Sequence, residues 1–170
     1  MDLKKKIRDV PDFPEKGIMF RDITTLLKDG EAFKYAVDEI KREIEKLDFD
    51  LIVGPESRGF IVGTPLSYAT GKGFVPIRKP GKLPSTTIRY DYKLEYGSDS
   101  LEIHADAIQP GDNVIIVDDL MATGGTFLAA INLVENLGGK VVAIVALIEL
   151  EALKGRDRFK DYNVITLIKY

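Results

Sequence analysis

The sequence predicts an α/β fold with a mostly parallel central sheet flanked by helices. Two observations carry that prediction. Segments that read as strands alternate along the chain with segments that read as helices, and the strand segments are continuous apolar runs rather than alternating ones. Strands that are apolar at every position belong to parallel sheets covered on both faces. A third observation bounds the size: 170 residues, 45% of them hydrophobic, suffice for a single domain with a sizeable core.

The elements follow in chain order. Phe33, Ala36, Val37, Ile40, Ile44 and Leu47 fall three or four apart, the stripe of an amphipathic helix, with Asp29 as a candidate cap. In "DFDLIVGPESRGF" the short run Leu51 to Val53 reads as a buried strand, broken by Gly54 and Pro55. Residues Ile61 to Ala69 suit a helix, Gly71 to Gly73 a break, and Phe74 to Ile77 another strand. From Lys79 to about Tyr96, prolines, threonines and the tyrosines at 90, 92 and 96 sustain neither period. This reads as an excursion with some strand content, such as a hairpin flap, rather than a second domain. "GDNVIIVDD" restores a buried strand that ends at its acids. Phe127 to Leu137 is helical with Gly138 and Gly139 as the stop, and "VVAIVALIEL" and "YNVITLI" are the last strands.

Composition excludes several function classes. A net charge of −3 supplies no general field for nucleic acid, although local basic patches can still contact phosphates. The absence of cysteine excludes disulfides, thiolate catalysis and thiolate metal sites. No apolar run approaches the ~20 residues a membrane helix needs, and Met1 to Asp9 is too charged for a signal peptide. The expectation is a cytoplasmic protein with no nucleic-acid or membrane partner.

The chemistry concentrates in "VIIVDDLMATGGT", Val114 to Thr126. In open α/β sheets ligands collect beyond the carboxyl ends of the strands, where Asp118 and Asp119 are expected. The following "ATGGT" can wrap backbone N–H groups into a nest, and a helix beginning near Thr126 adds unpaired N–H groups and the positive end of its dipole. That suits a phosphate, while the two acids suit vicinal sugar hydroxyls on the same ligand, or a Mg²⁺ ion that this ligand holds. Neither a P-loop lysine after the glycines nor a GxGxxG is present. The alternative is a surface turn with two solvated aspartates.

This stretch resembles the phosphoribosyl-pyrophosphate signature of the type I phosphoribosyltransferases. "PDFPEKGIMFRDITTLL" at Pro11 to Leu27, "GPESRGF" at Gly54 to Phe60, and "RKPGKLP" followed by "YKLEYGSDSLEIHADAI" are similar to the adenine-specific branch, and the likeness continues through "LIELEALKGR". The resemblance implies the type I fold with an N-terminal hood, about residues 1–30, and a flexible flap, about residues 79–104. It implies a purine-salvage transferase that joins adenine to the phosphoribosyl group of phosphoribosyl pyrophosphate, giving AMP and pyrophosphate. It also implies Mg²⁺ held mainly by the substrate, with no certain protein ligand, and a cytoplasmic homodimer.

Carried over position by position, the resemblance makes Asp118 and Asp119 the ribose-hydroxyl binders. Ala122, Thr123, Gly124, Gly125 and Thr126 become the 5′-phosphate cradle. Arg58, Arg78, Lys79 and Lys82 are its pyrophosphate ligands, and Glu56-Ser57 is its candidate non-trans peptide. Met19 and Arg21 read the adenine edge through their backbone, and Leu120 packs on the base. Glu95 on the flap is the candidate catalytic proton relay at purine N7, with Tyr96 helping the flap close.

Each assignment has a plainer rival. Glu95 can be a solvated flap residue, and Arg58 can pair with Glu56. Lys4, Lys5 and Lys6 suit a solvated helix face, and His104 a structural place at a strand end. At the level of function, the rivals are a ligand-sensing protein that keeps this fold without turnover, and an enzyme for hypoxanthine, guanine, xanthine or orotate. The retained "LEYG" argues against the first. Against the second stand the Asp-Asp pair, where 6-oxopurine enzymes usually carry Glu-Asp, and the long "PDFPEKGIMFRD" hood.

Overall fold

In a computed structural model of the chain, residues 1–93 and 97–170 are described. Five strands form the central sheet: β3 (Leu51–Pro55), β4 (Gly73–Ile77), β7 (Asn113–Met121), β8 (Lys140–Glu149) and β9 (Val164–Lys169). Every pairing is parallel and the order is β4-β3-β7-β8-β9. Two antiparallel hairpins lie outside it. One pairs β1 (Arg8–Pro11) with β2 (Met19–Asp22), the other β5 (Thr87–Lys93) with β6 (Ser98–His104).

Continuous apolar runs are the signature of this sheet because successive side chains enter different cores. Ile52, Ile115, Val117 and Val145 join one buried cluster with Leu26 of α1 (Thr24–Lys28), Ala36, Ile40 and Ile44 of α2 (Gly30–Ile44) and Val62 and Leu66 of α3 (Arg58–Thr70). Val53, Ile116, Ile144 and Ala146 join the other, with Phe127, Ala130 and Leu133 of α4 (Gly125–Asn136) and Leu101 and Ile103 of β6. The β5–β6 hairpin is thus rooted in the second core, and the Arg78↔Glu102 bridge ties it to the exit of β4.

The amphipathic stripe of α2 is capped as expected, with the Asp29 carboxylate accepting from the Ala32 N–H at 3.1 Å. Gly138 follows α4 at φ +87°, a left-handed conformation that only glycine adopts readily, which accounts for the predicted stop. Some sequence expectations are corrected. The strand expected to end at its acids runs on to Met121, because backbone pairing with β8 carries both aspartates inside the ladder. The lysine cluster lies on a single 3-10 turn, Leu3–Lys6, where Lys4 and Lys5 are exposed as expected while Lys6 Nζ reaches the Asp29 cap at 2.6 Å.

The topology places a crevice. From β3 the chain crosses through α3 to β4 on one side, and from β7 it crosses through α4 to β8 on the other. The connections diverge between β3 and β7, and ligand sites in open sheets form at such a switch point. The residues just beyond β3 and at the end of β7 are Arg58 and the Asp118-Asp119 pair.

Candidate active site

Asp118 and Asp119 stand on the last turnings of β7, and they are not a solvated pair. Asp119 is 3% exposed. Its backbone N–H donates to Asp118 Oδ1 at 2.8 Å, which orients the Asp118 carboxylate. Burial and then the Asp119 charge push the Asp118 carboxyl well above its ordinary range. Burial raises Asp119 as well, and the Arg58 guanidinium pulls it partly back.

Arg58 is the first residue of α3, and its Nε lies 3.0 Å from Asp119 Oδ2. This contact replaces the Glu56 partner considered from sequence. Gly59 lets the helix come so near. A side-chain carbon there would lie 2.8 Å from the Pro55 ring, 3.1 Å from the Val117 carbonyl oxygen and 3.3 Å from Asp118 Oδ1. The Glu56–Ser57 peptide before it is cis, as the resemblance implied.

Beyond the acids, Ala122 to Gly124 form the loop and α4 starts at Gly125. Gly124 takes φ +86°, so the chain turns sharply into the helix. The first N–H groups of a helix lack intrahelical partners and lie at its positive end. The loop and acids enclose a cavity of about 320 Å³. It brings together Arg58, Asp118, Asp119, Leu120, Ala122, Thr123, Gly124, Gly125 and Thr126, all of them candidates from sequence. The arrangement can hold an anionic group at the helix end and hydroxyl groups at the acids.

Tyr92 and Asp99 also line this cavity and were not found from sequence. The Tyr92 hydroxyl donates to Asp99 Oδ2 at 3.1 Å, and burial together with Asp99 pushes the phenol up to about 12. The available signal was the two-residue spacing of Ile88, Tyr90 and Tyr92, which all pack on the second core. Phe20 of β2 was also missed, and its ring centroid lies 5.6 Å from the Arg58 guanidinium carbon.

The other described candidates lie outside the cavity lining. Lys79 Nζ pairs with Asp99, holding that carboxyl below its ordinary range although burial acts to raise it. Glu56 gathers the Arg78 guanidinium at 3.4 Å, the Lys79 N–H at 2.6 Å and the Lys82 ammonium. Burial alone would raise Glu56, but these partners bring it below its ordinary value. In β2, Met19 is exposed, while the Arg21 guanidinium pairs with Asp9 and stacks 3.9 Å from the Tyr170 ring centroid. Glu95 and Tyr96 lie outside the described residues. His104 ends β6, where its Nε2 accepts from the Ser85 N–H at 3.4 Å, in keeping with a structural place.

A larger hollow of about 530 Å³ lies beside α2 and β9, but its Arg156 is already engaged by Glu149, Thr166 and the Val164 carbonyl. Among the described residues no three His, Cys, Asp or Glu side chains converge to hold a metal ion, and no helix is long and apolar enough to cross a membrane.

The model of the phosphoribosyl transferase domain matches residues 24–170. The chain is 61% identical over 170 residues to the adenine phosphoribosyltransferase of Alkaliphilus metalliredigens, covering all of both chains. It superposes on the crystal structure of adenine phosphoribosyltransferase from Thermoanaerobacter pseudethanolicus with a TM-score of 0.97 at 55% identity, covering 99% of this chain and 98% of that one. A Saccharomyces cerevisiae adenine phosphoribosyltransferase, complexed with an imino-altritol bisphosphate and adenine, matches with a TM-score of 0.91 at 42% identity, over 98% and 96% of the two chains.

Proposed function

The chain belongs to the adenine phosphoribosyltransferases of the phosphoribosyl transferase domain family, and from that premise we infer that it transfers the phosphoribosyl group of phosphoribosyl pyrophosphate to adenine, giving AMP and pyrophosphate in purine salvage. The observation that carries this reading is the cavity where the buried Asp119 and the half-buried Asp118 adjoin a helix-terminal glycine loop. Residues 1–170 act as a single phosphoribosyltransferase domain, with the hood to about residue 30 and the flap at about 79–104.

Each end of the sugar phosphate has a matching chemistry. The 5′-phosphate is held by N–H groups and hydroxyls of Ala122 to Thr126, at the positive end of α4. The ribose hydroxyls donate to Asp118 and Asp119, which favours their ionised forms and offsets the strain of two neighbouring carboxylates. Leu120 packs on the base, and backbone groups of Met19 and Arg21 read the adenine edge.

The reaction breaks the bond between ribose C1 and the pyrophosphate oxygen while adenine N9 bonds to C1. Positive charge develops on the ring and negative charge on the leaving group. Arg58, Arg78, Lys79 and Lys82 stabilise the latter, and each must exchange a carboxylate partner or backbone contact for pyrophosphate to do so. Adenine loses one proton as N9 bonds. Glu95 takes it through N7, a role that rests on the family likeness, and Tyr96 assists closure of the flap over a site from which water must be excluded.

The residues present fit a Mg²⁺ ion held chiefly by substrate. Asp118 and Asp119 would hold a cation only in part, with substrate oxygens as its other partners. Held there, the ion would help neutralise charge on the departing pyrophosphate. The family likeness also supports a cytoplasmic homodimer without nucleic-acid or membrane partners, in which Arg78, Lys79 and Lys82 serve their own site or the partner's.

The test is a turnover assay with phosphoribosyl pyrophosphate and Mg²⁺, offering adenine, hypoxanthine, guanine, xanthine and orotate separately. AMP from adenine alone is expected. Product only from another base would overturn the hood's choice. No product with any base, but calorimetric binding of phosphoribosyl pyrophosphate, would favour a sensing protein over a transferase.

A further inference from the structure

The motif "LIELEALKGR" belongs to none of the roles above, yet the segment that ends it sits directly beneath the phosphate loop. Leaving β8, the Leu150 N–H donates to the Met121 carbonyl at 3.0 Å, so the chain enters this segment already tied to the last residue of β7. Two 3-10 turns follow, Glu151–Leu153 and Gly155–Phe159, joined by Lys154 at φ +53°.

Gly155 meets the loop backbone to backbone. A side-chain carbon at 155 would collide with the Ala122 carbonyl oxygen and lie 3.2 Å from the Gly124 nitrogen. From the other side, a side-chain carbon at Gly124 would lie 2.7 Å from the Phe159 ring and 3.3 Å from the Gly155 carbonyl oxygen. Phe159 is fully buried and packs edge-on against Phe127 in the first turn of α4. The loop therefore has backbone on one side of it and a fixed aromatic ring on another, with no room for either to shift independently.

One ion pair sets where this support lies. Arg156, next to Gly155, donates through Nε to Glu149 Oε1 at 2.9 Å and through Nη2 to Oε2. Its Nη1 donates to the Val164 carbonyl and its Nη2 to Thr166 Oγ1, both at 2.9 Å. Thr166 completes the set by donating to Glu149 Oε2 at 2.7 Å. The planar guanidinium thus joins the end of β8 to β9 in one orientation, which an ammonium cannot reproduce.

The geometry points to residues 151–159 as a clamp that sets the phosphate cradle, with Arg156 as its positioning residue and Gly155 as the point of contact. This inference rests on the reading of Ala122 to Thr126 as the 5′-phosphate site. It assigns to residues that touch no substrate the spacing of the N–H groups that do. Misplacing such groups by about 1 Å can cost about 10²-fold.

The test is calorimetric binding of ribose 5-phosphate to the full chain and to Gly155→Ala, Arg156→Ala and Arg156→Lys, with thermal melts confirming the fold. Steady-state KM values for phosphoribosyl pyrophosphate and for adenine accompany it. Gly155→Ala is expected to weaken ribose 5-phosphate by at least about tenfold and to raise KM for phosphoribosyl pyrophosphate in parallel, with KM for adenine within about twofold. Arg156→Lys should fall between the parent and Arg156→Ala, with the same split between substrates. If Gly155→Ala does not fold, the two Arg156 variants carry the test. Folded variants that bind ribose 5-phosphate like the parent, or that lose both substrates equally, would overturn the clamp. A parent that fails to bind ribose 5-phosphate would instead overturn the cradle assignment, and the clamp with it.

Discussion

Asp119 near the end of β7 and Glu149 at the end of β8 are hidden to the same degree, 3% and 4% exposed, on adjacent strands of one sheet. Their electrostatics run in opposite directions. The two Arg156 hydrogen bonds, helped by Thr166, hold Glu149 below its ordinary range although burial opposes them. Asp119 has Arg58 as its cation but shares its surroundings with Asp118, and burial leaves both acids above their ordinary range. A buried acid whose partners all come from the chain itself acts as structure. An acid pair whose charges crowd each other and have one cation between them favours an arriving partner, and that, rather than burial or charge alone, distinguishes the candidate site.

The strongest way to break this comparison is to neutralise the acid pair. Asp118→Asn together with Asp119→Asn should weaken calorimetric binding of phosphoribosyl pyrophosphate by about 10²- to 10⁴-fold, since each of the two lost charged hydrogen bonds is worth roughly 1.5 to 3 kcal/mol. Affinity like the parent's would remove the acids from the ribose site. Next in size is Glu149→Gln, which leaves Arg156 without its carboxylate. The urea midpoint should fall by the equivalent of about 2 to 3 kcal/mol, and an unmoved midpoint would show the pair to be dispensable to the fold.

The smallest effect sharpens the contrast most. Asp118→Asn removes one of two crowded charges and should raise stability at neutral pH by about 1 kcal/mol, or about 2 to 4 °C in Tm, while weakening the ligand. The sign depends on pH. Asp118, raised in the fold, binds its proton more tightly there than in the unfolded chain. Its penalty is therefore absent below the ordinary value of 3.8 and grows as pH rises toward the folded value. Glu149, depressed in the fold, contributes fully above its ordinary value of 4.5 and loses that contribution as pH falls through its lower folded value. Acidification should thus shrink the gain of Asp118→Asn and the deficit of Glu149→Gln alike. A gain for Asp118→Asn that persists into acid would show that packing, not charge, is its cause.

The sequence made one half of this contrast legible and hid the other. Asp118 and Asp119 follow a run of aliphatic residues and precede two glycines, so a local pattern points to them, and the apolar runs of β3, β7 and β8 disclosed the sheet for the same reason. Glu149 ends an equally apolar run, but its meaning depends on Arg156, which two 3-10 turns fold back onto it, and on Thr166, which the pairing of β8 with β9 brings beside it. Arg58 was flagged by the resemblance, yet its partner Asp119 lies far along the chain, and the nearer Glu56 was the natural rival. Strands β1 and β2, four residues each, are too short for a period to form. Tyr92 and Asp99 reach the cavity only because the β5–β6 register sets them opposite each other. Continuation of β7 through its charges was hidden because two aspartates interrupt the apolar run while the backbone pairing goes on.

Three glycines, Gly59, Gly124 and Gly155, stand where backbone meets neighbour at the cavity, and each contact leaves no space for one further carbon. The cores beneath fail the other way, since trimming Ile116 or Phe127 would leave a void. The molecule is therefore vulnerable to subtraction in its interior and to addition around its ligand. Random change that shrinks side chains erodes the cores, whereas change that enlarges these three positions first displaces the backbone and the ring that shape the cavity.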